Sequence, residues 1–149
     1  MSEMRSTGNL PLITAGISTA IASLLHIAII FGGGDWYRFF GAGEEMATMA
    51  EQGSMIPSII TFAIAAVLML WSGYAFSGGG ALPKIPLRRT ALTLISAIFL
   101  LRGLILLPML FMQPEQVGSF WIISSFICLA IGACYTIGTR QVWEQLTHG

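Results

Sequence analysis

Residues 55–76, MIPSIITFAIAAVLMLWSGYAF, run from Met55 to Phe76 without a formal charge. As an α-helix rising about 1.5 Å per residue, the stretch is about 33 Å long, enough to cross a hydrocarbon core of about 30 Å. Three more apolar stretches have the same reach: Leu10–Phe31 before it, then Thr90–Met112 and Val117–Gly138 after it. Only the stretch from Thr90 contains a formal charge, Arg102. Of the 149 residues, 55% are hydrophobic and 9% charged, whereas soluble domains carry about 25% charge. A chain in lipid must satisfy its own backbone, as helices or as a closed barrel, and the alternation of barrel strands is absent. The expectation is therefore an all-α, integral membrane four-helix bundle occupying 1–149 as one domain.

Outside the spans, the ends are readable. Met1–Asn9 is short and polar, and Pro11 suits a first helical turn. Arg5 before an apolar run has the look of a signal peptide, but the run is too long and lacks a small-residue cleavage site, so it reads as a retained first helix. Thr19, Ala22, Ser23 and His26 recur at spacings of three and four. That places them on one face, where a second helix can approach closely and the imidazole turns away from lipid. Thr61, Ala65 and Ser72 repeat the device in the second span, and Ala130, Cys134 and Gly138 in the fourth. Trp71 and Tyr74 read as an aromatic belt. Pro108 should kink the third span or loosen the turn before it. Arg140–Leu146 reads as an amphipathic, aqueous part of a C-terminal extension over 139–149.

The longest connection, Asp35–Gly53, holds the densest chemistry. Its core is WYRFFGAGEE, Trp36–Glu45. Trp36, Tyr37, Phe39 and Phe40 suit a membrane interface and form the candidate surface for a partner. Over 42–52, Ala42, Met46, Met49 and Ala50 recur at helical spacing against Glu44, Glu45, Thr48 and Glu51, which predicts a short interfacial helix. Ser54 is an N-cap candidate for the span that follows.

Arg5, Lys84, Arg88, Arg89 and Arg140 flank the spans on one side, while Arg38 stands with Asp35, Glu44, Glu45, Glu51 and Glu115 on the other. The positive-inside rule then puts both termini in the cytoplasm, across a cell inner membrane, with WYRFFGAGEE facing out. Helix arithmetic carries His26 and Arg102 to a similar depth, about 20–24 Å from the cytoplasmic ends. An arginine inside a span costs roughly 2.5–3.5 kcal/mol on insertion scales, so Arg102 should find a carboxylate, line a polar cavity or snorkel to headgroups. Glu44, Glu45 and Asp35 are the carboxylates on its side. These residues define a candidate ligand-binding pocket, His26, Arg38, Glu44, Glu45 and Arg102, beneath the interfacial helix. The competing reading is a snorkelling arginine beside a structural histidine.

Other chemistries have less support. The net charge of zero and the lack of a Lys/Arg run exclude nucleic acid. Cys128 and Cys134 are six apart, neither a redox pair nor zinc ligands by spacing. One histidine in the spans cannot ligate haem twice, since His148 lies in the opposite tail. Met46 and Met49 with His26 read as an apolar face before they read as a copper site, so no metal is expected. A proton-coupled antiporter needs a carboxylate in a span, and none is there. Nothing in the motifs argues for an enzyme.

The words GGGDWYRFFGAGEEMATMAEQGS (32–54), WSGYAFSGGG (71–80), IPLRR (85–89) and FLLRGL (99–104) resemble a set of small bacterial inner-membrane proteins with no assigned activity. In size and topology the chain is also loosely similar to the DoxX group of four-helix membrane proteins, some linked to quinone oxidation. The resemblance implies four spans and nothing about substrate. Three roles stay open. The first is binding of a quinone- or lipid-like molecule, alone or as an accessory subunit. The others are a membrane-anchored interaction factor docking a partner protein through 36–45, and a small transporter.

Overall fold

A computed structural model of the chain describes residues 8–146. Arg5 and His148 lie outside that range, as do most of the polar N-terminal segment and the last residues of the C-terminal extension. Eight α-helices follow one another: α1 Leu10–Gly32, α2 Gly34–Phe39, α3 Glu44–Glu51, α4 Ile56–Gly78, α5 Arg88–Leu104, α6 Leu106–Met112, α7 Ser119–Gln141 and α8 Trp143–Leu146. A 3-10 turn at Pro114–Gln116 joins α6 to α7. Four segments are long and apolar enough to cross a membrane: α1, α4, α5 with α6, and α7. The chain is a multi-pass, all-helical membrane bundle.

Local chemistry sets the helix ends. Asn9 caps α1, its side-chain oxygen accepting from the Leu12 N–H at 3.0 Å, and Gly33 ends it at a φ of 75° that other residues resist. Before α4, the Ser54 hydroxyl accepts from the Ile56 N–H at 3.3 Å, with Pro57 inside the first turn. The third span is broken at Ile105. Pro108 has no N–H to offer the Leu104 carbonyl and its ring crowds that oxygen, so the helix opens one turn before the proline.

Around the bundle the order is α4, α1, α7, α5, with α4 meeting α5 more sparsely. Hydroxyl groups tie α1 to α4: Ser23 Oγ donates to the Ala65 carbonyl and Ser72 Oγ to the Gly16 carbonyl, each at 2.7 Å. Lipid supplies no hydrophobic drive between helices, so close approach and bonds of this kind carry the association. Tyr135 extends the tie to α7, its hydroxyl lying 2.9 Å from Thr19 Oγ1 and 3.3 Å from the Trp71 carbonyl. The α5 and α7 backbones also approach closely. A Cβ added at Gly103 would stand 2.9 Å from the Ser125 carbonyl oxygen, and one at Gly132 would stand 3.1 Å from the Leu100 nitrogen.

Four local expectations change. WYRFF is largely helical, in α2, and Gly41 and Gly43 at φ of 75° and 103° turn the chain before α3, which starts at Glu44 and not at Ala42. Trp71 is half-buried and packs edge-on against Phe99 at 5.7 Å, beside the central core. Ala130 is exposed, and the packing face of α7 runs through Gly132, Tyr135 and Gly138. The extension after Arg140 is not wholly aqueous, because Val142 and Leu146 are buried in the same core as Leu12 and Leu92.

Candidate functional site

Helices α1, α4, α5 and α7 enclose a cavity of about 380 Å³. This lies within the roughly 300–1,000 Å³ of ordinary ligand pockets. Its lining is mostly apolar, from Leu68, Phe99 and Ile131 in the core to Phe40 and Phe120 at the α2–α3 end. Ile64 of α4 and Ile98 of α5 line it yet are exposed, as residues at a rim are. Cys128, which reads in the sequence as a small packing residue, also lines it.

Two polar side chains enter this apolar lining from opposite sides. His26 on α1 lies within reach of the Ala22 carbonyl, with Nδ1 2.7 Å from that oxygen. A carbonyl can only accept, so Nδ1 carries a proton, and in the neutral ring Nε2 is an acceptor. Arg102 on α5 donates from its two terminal nitrogens to Ser125 Oγ and Ser124 Oγ, each at 3.2 Å. Its guanidinium also lies over the Trp121 ring, 4.4 Å from the centroid. Such a contact is worth about 0.5–1 kcal/mol when exposed and more when desolvated. Hydroxyls and an indole face orient the cation without neutralising it. Among the described residues no carboxylate forms an ion pair with Arg102.

Of the alternatives for Arg102, pairing with a carboxylate of Glu44, Glu45 or Asp35 is not the one that forms. Glu44 is taken by Arg38, whose Nε and Nη2 donate to its two oxygens at 2.8 Å each. Glu51 accepts from Arg38 at 2.6 and 3.0 Å, and Asp35 at 3.2 Å. Paired, fork-like bonds of this sort are the strongest an arginine makes with carboxylates. They hold the carboxyls of Glu44 and Glu51 below the usual carboxylate range and raise the Arg38 guanidinium further. Glu45 is exposed and takes no part. Of the five pocket candidates, His26 and Arg102 share the cavity, while Arg38 and Glu44 clamp α2 to α3 outside it.

The aromatic candidates divide as well. Phe39 is 69% exposed and Trp36 is also exposed, so both remain at the surface. Tyr37 is only 2% exposed, its hydroxyl accepting from Thr61 Oγ1 at 3.2 Å, and is lost to any partner surface. Phe40 turns inward, edge-on to Phe120 at 5.3 Å, and closes the cavity. Met46 packs on the small core of Ile29, Tyr37 and Ala47. Trp121, Ser124 and Ser125 carry no charge and were missed, although adjacent serines in an apolar span near the depth of an arginine were a usable signal. No protein-family model, curated protein or solved structure matches this chain.

Proposed function

We propose that the chain is an inner-membrane protein, with both termini cytoplasmic, that binds an amphipathic molecule of the quinone, fatty-acid or lipid class in the four-helix cavity, alone or as an accessory subunit. The observation that carries this reading is Arg102, a cation in an apolar cavity, oriented by Ser124, Ser125 and Trp121 but without a carboxylate among the described residues. Its remaining N–H groups suit a carbonyl or carboxylate head, and His26 Nε2 suits a hydroxyl. The apolar lining suits the body of the ligand, which exchanges contacts with lipid tails for contacts with the cavity wall. Exposed rim residues on α4 and α5 suit entry from the bilayer. The orientation rests on Lys84, Arg88, Arg89 and Arg140, which flank the spans on the side opposite Asp35, Glu44 and Glu51.

Native mass spectrometry of protein extracted gently from its own membrane tests the proposal. The expected result is a defined small molecule on the wild type that is absent from Arg102→Leu. A wild-type chain that carries no small molecule, or one equally retained by Arg102→Leu, overturns it. A co-purifying polypeptide on an otherwise empty chain would transfer the function to the α2–α3 surface around Phe39.

A further inference from the structure

The opposite end of the bundle holds a second unbalanced cation. Arg88 opens α5 and is only 6% exposed. One terminal nitrogen donates to the Ser77 carbonyl in the last turn of α4 at 3.0 Å, while its Nε is buried with no hydrogen-bond partner. No carboxylate forms an ion pair with it among the described residues. The α4 carbonyls offset part of a cation's charge. A buried charge left otherwise unpaired is nonetheless costly, by several kcal/mol where desolvation is complete. Arg88 lines a cavity of about 500 Å³ that it shares with Lys84, Ser77 and Gln145. Two cations thus border one opening, and one of them carries a buried N–H donor that no group among the described residues accepts.

We infer that this opening is a binding site for a phosphate-bearing group, with Arg88 and Lys84 as its cationic ligands. At the end of membrane-spanning helices, the source is either the phosphate of an anionic lipid headgroup or a free phosphate. The site is separate from the Arg102 cavity and does not depend on it.

The full chain, delipidated in a neutral detergent, is titrated with dioctanoyl phosphatidic acid, inorganic phosphate and dioctanoylglycerol, reading bound masses by native mass spectrometry. Saturable binding of the phosphatidic acid and none of the dioctanoylglycerol is expected. Arg88→Gln and Lys84→Gln should each weaken it about tenfold or more, the usual effect of losing one charged hydrogen-bonding partner. Arg140→Gln, a cation near the same end, should leave it unchanged. Inorganic phosphate that binds and displaces the phosphatidic acid assigns a free phosphate, and phosphate that does not displace it assigns a lipid headgroup. Because Arg88 also holds the Ser77 carbonyl, its variant can fail to fold. Lys84 is exposed and makes no hydrogen bond or ion pair among the described residues, so its variant decides. Wild-type affinity in Lys84→Gln, an equal loss in Arg140→Gln, or no saturable binding of either phosphate compound overturns the inference.

Discussion

Replacing Arg102 by leucine separates a structural arginine from a binding one by the sign of the stability change. In the ligand-free bundle Arg102 gains two hydroxyl bonds and a contact with the Trp121 ring. Interhelical hydrogen bonds in membranes average about 0.6 kcal/mol and the ring contact contributes about 0.5–1, so the favourable side is about 2 kcal/mol. Against it stands the cost of holding a guanidinium inside a span, roughly 2.5–3.5 kcal/mol for a central position and less here, where the side chain is partly exposed. The freed serines also lose little. Ser124 already lies within bonding distance of the Trp121 carbonyl, 3.2 Å away, and a serine in a helix can turn to the carbonyl four residues back. Arg102→Leu should therefore leave the empty protein as stable as the wild type or raise it by about 1 kcal/mol, while removing the bound ligand. Reversible unfolding in mixed micelles, on protein stripped of small molecules, measures this. A loss of more than about 2 kcal/mol in the stripped protein would show that Arg102 is held for packing, and would refute the reasoning.

Three further outcomes follow from the geometry. Gly103→Ala drives a methyl group into Leu129 and to 2.9 Å from the Ser125 carbonyl, forcing α5 and α7 apart, with a loss of about 1–3 kcal/mol in the same unfolding assay; an unchanged midpoint would contradict the close approach. Tyr135→Phe removes a hydroxyl that reaches Thr19 and the Trp71 carbonyl, for which about 0.6 and at most about 1.7 kcal/mol is expected. The α2–α3 clamp should respond to acid. The carboxyls of Glu44 and Glu51 are lowered from 4.5 in the folded protein, so their contribution is complete above that value and is lost as pH falls through the lowered ones. Amide exchange over 44–51 should stay constant between about pH 6 and 8 and quicken only below about pH 4.5; quickening near neutrality would point to a different group.

The spans were legible because length and the absence of charge are properties of a segment by itself. Counting along the helices brought His26 and Arg102 to a similar level, and both line one cavity. Partner choice was not, since it depends on how one connection folds. Gly41 and Gly43 take left-handed φ values that reverse the chain between α2 and α3. Glu44 and Glu51, seven residues apart and so on one helical face, then both meet Arg38. Glu45 stands about 100° further round and meets nothing. The seven-residue spacing was available beforehand, but the donor it required, Arg38, lay beyond a turn whose direction only the glycine conformations settle. Tyr37 is a similar case: as a loop residue it belongs at the interface, and as a residue of α2 it faces Thr61.

The placement of charge in the finished bundle runs against stability alone. Arg38, whose side chain is one-third exposed, receives three carboxylates, although exposed ion pairs contribute little to stability. Arg102 and Arg88, where desolvation makes a counter-ion worth more, receive hydroxyls, an indole face and a backbone carbonyl but no carboxylate among the described residues. A chain selected only for a stable anchor would place leucine at 102, as it does at 101 and 104, and the packing would improve. Under the proposed function, an anion or carbonyl from outside the chain accounts for cations in such places. In that account the clamp on α2 and α3 holds Phe40 over the cavity, so that the Arg38 cluster serves the site without touching its ligand.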